Sequence, residues 1–360
     1  MSDEGTYKSF IPLLDTLSRS ELTIALFVGG STLTSTRAGL SIAGPSPQAT
    51  LYTPTLDLEY LVSGAPATLD VIPVSPEGLP TPAVLTRAAL QLVKIPYLVV
   101  DAGTYYGLKV PHVRLPSARH GNDFSESDAL PRGTARSLFN EGRTLGSTIG
   151  RGQDVVLIGE SIPGGTTVAA AIMSALGFDG VSLVSSASPQ NPKDLKRVVV
   201  QRALARATGV KDPLEVVDIV GDPVHVTIAG IAAGALDAGS NVVLAGGTQM
   251  GAVLAIMRSL GVLDTHRVSL ATTKWIAEDR SSDIMAIAEE VGGGVRLLVA
   301  DIDLSDSPYR GLAMYEEGYV KEGVGAGGVM VLARSLGISK EELKRAIFEE
   351  YGRLLRLGKA

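Results

Sequence analysis

The chain has 360 residues, 45% of them hydrophobic and 19% charged, a balance that builds a sizeable core and excludes a chain dominated by disorder. A net charge of -6, from 38 acids against 32 bases with no basic run, argues against nucleic acid or an anionic membrane surface as partner. The absence of cysteine excludes disulfides, thiolate nucleophiles and Cys-ligated metals.

The first ten residues, MSDEGTYKSF, are polar and show no cleavable signal, and no apolar run approaches the ~20 residues of a bilayer span. A cytoplasmic protein is expected. Phe10, Leu13, Leu14 and Leu17 recur at helical spacing and need a surface to pack on. Leu22 to Val28 reads as a strand ending in Gly29 and Gly30. From Gly39 to Pro82 the chain is rich in Pro, Thr, Ser and Gly, which reads as a long irregular excursion over the surface, of the kind that covers a site.

Thr86 to Val93 is expected as helix, Tyr97 to Val100 as strand, and Thr134 to Ile149 as helix. Val155 to Ile158 is a short buried strand, followed by a turn with Glu160, Pro163, Gly164, Gly165, Thr166 and Thr167 and then an Ala-rich helix that stops at Gly177. An alternation follows. Strands are expected at Val181 to Val184, Val216 to Val220, Val242 to Ala245, Val268 to Thr272 and Val295 to Ala300. Helices are expected at Pro192 to Ala207, Val224 to Ala238, Gln249 to Leu260 and Ser281 to Val291.

Strands alternating with helices of this length imply parallel pairing with helices on both faces. The fold class is therefore α/β, a three-layer α/β/α arrangement with a mostly parallel, Rossmann-like sheet spanning 22–312. Ser339 with Glu342 forms a capping box, and Leu343, Ile347, Tyr351, Leu354 and Leu355 make an apolar stripe. Residues 313–360 are expected to join 1–21 in a small helical subdomain. Ligands in such sheets bind at the carboxyl ends of the strands. Asp101–Gly103, Gly159–Glu160, Gly221–Asp222, Gly246–Thr248, Thr272–Thr273 and Asp301–Asp303 would form one polar rim there.

The turn GESIPGGTT, residues 159–167, admits two readings. It is an anion cradle, with backbone N–H groups, a helix dipole and two hydroxyls turned on a phosphate, or an ordinary tight strand-to-helix turn. It is neither a P-loop, for want of a Lys before the Thr pair, nor the dinucleotide fingerprint. A carboxylate beside an anion is repulsive, so Glu160 calls for a cationic or hydroxyl-bearing ligand group. The second motif, YEEGYVKEGVGAGG at 315–328, places Glu322 directly before Gly323 and Gly325, where small residues let a flat ligand approach. Glu316 and Glu317 read as solvated surface charge. His112, His120, His225 and His266 show no metal-ligand spacing, with His225 alone near the expected rim, and Asp301, Asp303 and Asp306 lack the pattern of a calcium loop. No metal and no cofactor is expected.

Together these motifs resemble the nicotinate-nucleotide-dimethylbenzimidazole phosphoribosyltransferases of cobamide assembly, archaeal branch. The carriers are GESIPGGTT, GDPV (221–224), VVLAGGTQMGAV (242–253), TTKWIAED (272–279) and EGYVKEGVGAGG (317–328), in order over nearly the whole chain. The resemblance implies transfer of 5-phosphoribosyl from nicotinate mononucleotide to a benzimidazole-type or purine nitrogen, by a homodimer. It puts the catalytic base on Glu322 and a ribose-side carboxylate on Glu160. Phosphate and nicotinate would be held by Gly164, Gly165, Thr166, Thr167, Gly246, Gly247, Thr272 and Thr273, and the base would lie on Gly323 and Gly325. Two rivals remain open at this point: another nucleotide transferase or nucleosidase, and a non-catalytic nucleotide-binding regulator.

Overall fold

A computed structural model describes residues 22–69, 74–75 and 78–358; the expected N-terminal helix lies outside them. The strands are β1 (Thr23–Gly30), β2 (Tyr97–Gly103), β3 (Val113–Arg114), β4 (Val155–Ser161), β5 (Asn241–Ala245), β6 (Val268–Thr273) and β7 (Arg296–Ala300). They form one sheet in the order β3-β2-β1-β4-β5-β6-β7, and every pairing is parallel. Helices cover both faces, as the alternation of strands and helices requires. The central strands β1 and β4 are buried nearly throughout, which is why TIALFVGG and VVLIGES read as continuous rather than alternating apolar runs.

Strand order reverses between β1 and β4. From β1 the chain steps outward to β2 and β3, then returns to the other side at β4, so the loops leaving β1 and β4 diverge. A crevice opens at that switch point. The register sets Phe27 opposite Gly159, Val28 opposite Glu160 and Gly29 opposite Ser161, so Glu160 stands at the mouth of the crevice.

Two expected strands are helical. Val181 to Val184 falls in a single turn, Gly180–Leu183, capped by the Asp179 side chain, and Val216 to Val220 ends the helix Pro213–Val220, capped by Asp212. A short apolar run does not separate a buried strand from a buried helix. The start signal, Asp212 followed by Pro213, was the deciding feature. Gly221 and Asp222 are therefore not at a strand end; Asp222 caps the helix Pro223–Asp237 and leaves the rim. The expected helix Ser281 to Val291 is a short turn, Ile284–Ala286, running into a π-type turn, Ile287–Val291.

The stretch from 39 to 82 is less irregular than its composition suggests, because it contains helix α1 (Thr53–Ser63). Helices α2 (Ala83–Val93), α3 (Ala326–Ser335) and α4 (Lys340–Leu357) join α1 on one face of the sheet. Their side chains share one apolar cluster with Phe27, Leu157, Val243 and Ala271. The capping box at Ser339 and Glu342 is present, and Leu343, Ile347, Tyr351 and Leu354 are buried in that cluster. Within the tail α3 packs on β5, β6 and β7 and α4 packs mainly on α2, while the expected partner, 1–21, lies outside the described residues.

Candidate active site

A cavity of about 500 Å3 opens at the switch point. Its walls come from the 40–57 segment, from 79–82, from 160–166 after β4, from 185–187, from 247–249 after β5, and from 320–324. Most of the lining is apolar, with Leu40, Ile42, Leu56, Leu79 and Ile276 among it. Three carboxyl groups line it, those of Asp57, Glu160 and Glu322, and among the described residues no Lys, Arg or His does. A ligand must therefore supply positive charge or hydrogen-bond donors at these acids.

Glu322 is carried by a loop in unusual conformation. Val320, Lys321, Gly323, Val324 and Gly325 all have φ between 53° and 150°, and two of them are β-branched. For the three that are not glycine, Val320, Lys321 and Val324, strain of this kind costs on the order of 1–3 kcal/mol per residue and persists only where the surroundings impose it. The restraints are visible. The Val320 amide donates to the Ala187 carbonyl at 2.7 Å, the Val324 amide to the Glu160 carbonyl at 2.7 Å, and the Thr273 hydroxyl to the Lys321 carbonyl at 2.6 Å. The buried Lys321 ammonium pairs with Asp279 at 2.8 Å. Gly325 lies so close to β4 that a Cβ on Gly159 would stand 2.8 Å from its Cα.

The loop presents the Glu322 carboxylate to a set of N–H groups. Thr273 donates at 2.9 Å to Oε2, Gly323 at 3.2 Å to Oε1, and Gly327 to both oxygens at 3.0 and 3.2 Å. The Thr272 hydroxyl adds a longer contact at 3.4 Å. Burial nevertheless dominates these donors and pushes the carboxyl up to about 7. A carboxylate near neutrality that faces a cavity is poised to take a proton.

Glu160 is 1% exposed. Its Oε2 accepts the Ile162 amide at 3.2 Å, and its Oε1, with the Gln249 side chain nearby, has no hydrogen bond of good geometry among the described residues. Burial, reinforced by the charge of Glu322, raises this carboxyl well above its usual value. The Gly246–Gly247 turn runs between the two acids, since a Cβ on Gly246 would lie 3.7 Å from Glu160 Oε1 and one on Gly247 3.5 Å from Glu322 Cβ.

The expected phosphate turn divides. Gly164, Gly165 and Thr166 line the cavity at the start of the helix Gly165–Ala175, with Gly164 left-handed at φ 72°. Thr167 is buried outside the lining, its hydroxyl unpartnered. Gly247 and Gly323 line the cavity, whereas Gly246 and Gly325 stand behind it. Thr272 and Thr273 hold Glu322 and its loop and do not line the cavity. His225 is fully buried against Asp222 and also lies outside it.

Two groups escaped sequence reasoning. Lys196 is buried, and its ammonium donates to the Thr166 hydroxyl at 3.1 Å and to the Ser185 carbonyl. Burial, with Lys321 and Lys193 nearby, lowers its pKa to about 7. Asp57 accepts the Thr81 hydroxyl at 2.6 Å and the Ser161 hydroxyl at 2.7 Å, and burial raises its carboxyl to about 6. Neither carries a local motif. Among the described residues no group of three or more His, Asp or Glu is arranged to hold a metal ion, and no helix is long and apolar enough to cross a membrane.

The comparisons agree with this architecture. A family model described as "Phosphoribosyltransferase" matches residues 83–268. A "UPF0284 protein" of Aeropyrum pernix is 57% identical over 330 residues, covering 91% of this chain and 92% of its own. Two solved structures from Thermus thermophilus share the fold. One is a nicotinate-nucleotide-dimethylbenzimidazole phosphoribosyltransferase, with TM-score 0.63, 21% identity and coverage of 92% of this chain and 86% of that one. The other is named CobT, with TM-score 0.65, 19% identity and coverage of 96% and 93%. The chain belongs to the phosphoribosyltransferase family of that model, alongside the UPF0284 proteins.

Proposed function

We propose that this protein transfers the 5-phosphoribosyl group of nicotinate mononucleotide to a ring nitrogen of a benzimidazole-type or purine base, giving an alpha-riboside 5'-phosphate and nicotinate, in assembly of a cobamide lower ligand. The observation that carries the reading is Glu322, on the wall of a largely apolar cavity of about 500 Å3 and with its carboxyl pushed up to about 7. The nitrogen lone pair forms the new bond to C1' as the bond from C1' to the pyridinium nitrogen breaks. That bonding pair neutralises the departing ring, and Glu322 receives the proton of the attacking base. Glu160, whose Oε1 has no hydrogen bond of good geometry among the described residues, stands for the ribose hydroxyls and the positive charge that develops at C1'.

Charge supports the same assignment. A cavity lined by three acids and no base suits a pyridinium and an oxocarbenium-like carbon better than it suits a free anion. The phosphate fits the turn at Gly164–Thr166, which opens a helix and has Lys196 bonded to Thr166. Lys196→Met is expected to raise KM for nicotinate mononucleotide at least ~10-fold while changing the affinity of the free base little. An unchanged KM would place Lys196 in the frame only.

Incubation with nicotinate mononucleotide and a panel of bases, followed by separation of products, tests the reading. Nicotinate and a riboside phosphate should appear in equal amounts. Nicotinate alone would identify a nucleosidase, and binding with no turnover a regulator. Because pyridinium is already a good leaving group, no departing pyrophosphate needs a divalent cation, and EDTA is expected to leave turnover intact. Loss of activity that magnesium restores would contradict this. The same proposal includes a homodimer in the cytoplasm, the former checked by light scattering.

A further inference from the structure

Asp57 and Glu59 lie two residues apart on α1, and both carboxyl groups are buried, but they are satisfied in different ways. Glu59 accepts backbone N–H bonds from Ala67, Thr68 and Lys109 at 2.7, 2.7 and 2.8 Å and a hydroxyl bond from Thr68 at 2.7 Å. Burial pushes the Glu59 carboxyl up, and these donors more than reverse it, leaving it below its usual value. Such a carboxylate is part of the frame: it ties two loops to the helix.

Among the described residues Asp57 receives only two hydroxyls, from Thr81 and Ser161, and no backbone amide. A carboxylate offers about four acceptor sites, so about two remain unused. It faces the cavity beside Leu56, Leu79 and Ile42, and no cation among the described lining residues stands near to pair with it. A ligand that covers Asp57 with hydrocarbon removes it from water and returns nothing.

We propose that Asp57 selects the acceptor: the aromatic nitrogen base that enters the cavity carries a hydrogen-bond donor, an exocyclic amino or hydroxyl group, that pairs with the Asp57 carboxylate. This rests on the transferase reading for the reaction and goes beyond it in stating what the base must carry. Apolar residues supply the walls for the ring, and Asp57 supplies the discrimination. A site built to pair with a substrate donor rejects the analogue that lacks it far more strongly than an apolar pocket rejects a change of shape.

The matched probes are 5-aminobenzimidazole and 5-methylbenzimidazole, similar in size and different in the donor. With nicotinate mononucleotide and the wild-type protein, kcat/KM for the amino base is expected to exceed that for the methyl base at least ~10-fold. In Asp57→Asn the ratio should fall to within about 2-fold of unity, because the amide turns a donor toward the ligand. The ratio is the readout, so a general loss of activity does not enter. A wild-type ratio near one overturns the proposal, and so does a ratio that D57N leaves unchanged. If D57N does not fold, Asp57→Ser is read in its place, and the wild-type ratio needs no variant. If neither base is turned over, the transferase reading has failed. The calorimetric affinities of the two bases then decide on Asp57 by the same ratio.

Discussion

Replacing Glu322 with glutamine is expected to lower turnover at least ~100-fold with little change in the affinity for nicotinate mononucleotide. With its oxygen at the Oε2 position the amide keeps the size of the side chain and still accepts from the N–H groups of Thr273 and Gly327, and the loop's anchors to Ala187, Glu160 and Thr273 do not involve this side chain. What it loses is the ability to take a proton. The pH profile gives an independent check. The general base works as the carboxylate, and burial has raised its pKa to about 7. The wild-type rate should therefore fall about tenfold per pH unit below that value and level off above it. In E322Q the acid limb should vanish, leaving a low rate that pH changes little. Near-normal turnover in E322Q would remove Glu322 from the chemistry, and with it the assignment of the reaction.

The sequence revealed the sheet better than the site, for physical reasons that particular residues show. The apolar runs of β1, β4, β5 and β6 were readable because strands buried on both faces need such runs. The run at Val216 to Val220 misled because its burial comes from helix packing, and five residues are too few to show a period. Glu160 and Glu322 stood out as acids among glycines, where a side chain has little packing purpose. Thr272 and Thr273 were expected at the phosphate and nicotinate, and a contact the sequence did not suggest is theirs with Glu322, some 50 residues on. Asp57 and Lys196 were invisible. The partners of Asp57 are Thr81 and Ser161, 24 and 104 residues away, and those of Lys196 are Thr166 and Ser185, 30 and 11 residues away. Pairings of this range are set by the strand order, which no local motif encodes.

Glu160→Gln is expected to act in two directions at once, lowering turnover about 100-fold and making the unliganded protein more stable. The loss follows from removing the carboxylate that faces the developing charge at C1'. The gain follows from the state of the empty site. Glu160 is 1% exposed, one of its oxygens has no hydrogen bond of good geometry among the described residues, and burial together with the Glu322 charge raises its pKa well above the usual value. A carboxyl whose pKa is higher in the folded than in the unfolded chain favours folding less and less as pH rises from its unfolded value of 4.5. A glutamine pays no such penalty. The melting temperature of E160Q should therefore exceed that of the wild type by at least about 2 °C at pH 8, and the two should converge near pH 4, where both forms of the wild-type carboxyl are neutral. Saturation with nicotinate mononucleotide should narrow the difference at pH 8, because the pyridinium of this otherwise anionic ligand offsets the buried acid and so stabilises the wild type more than E160Q. A lower melting temperature for E160Q at pH 8 would show that Glu160 holds the crevice together instead of waiting for a charge to enter it.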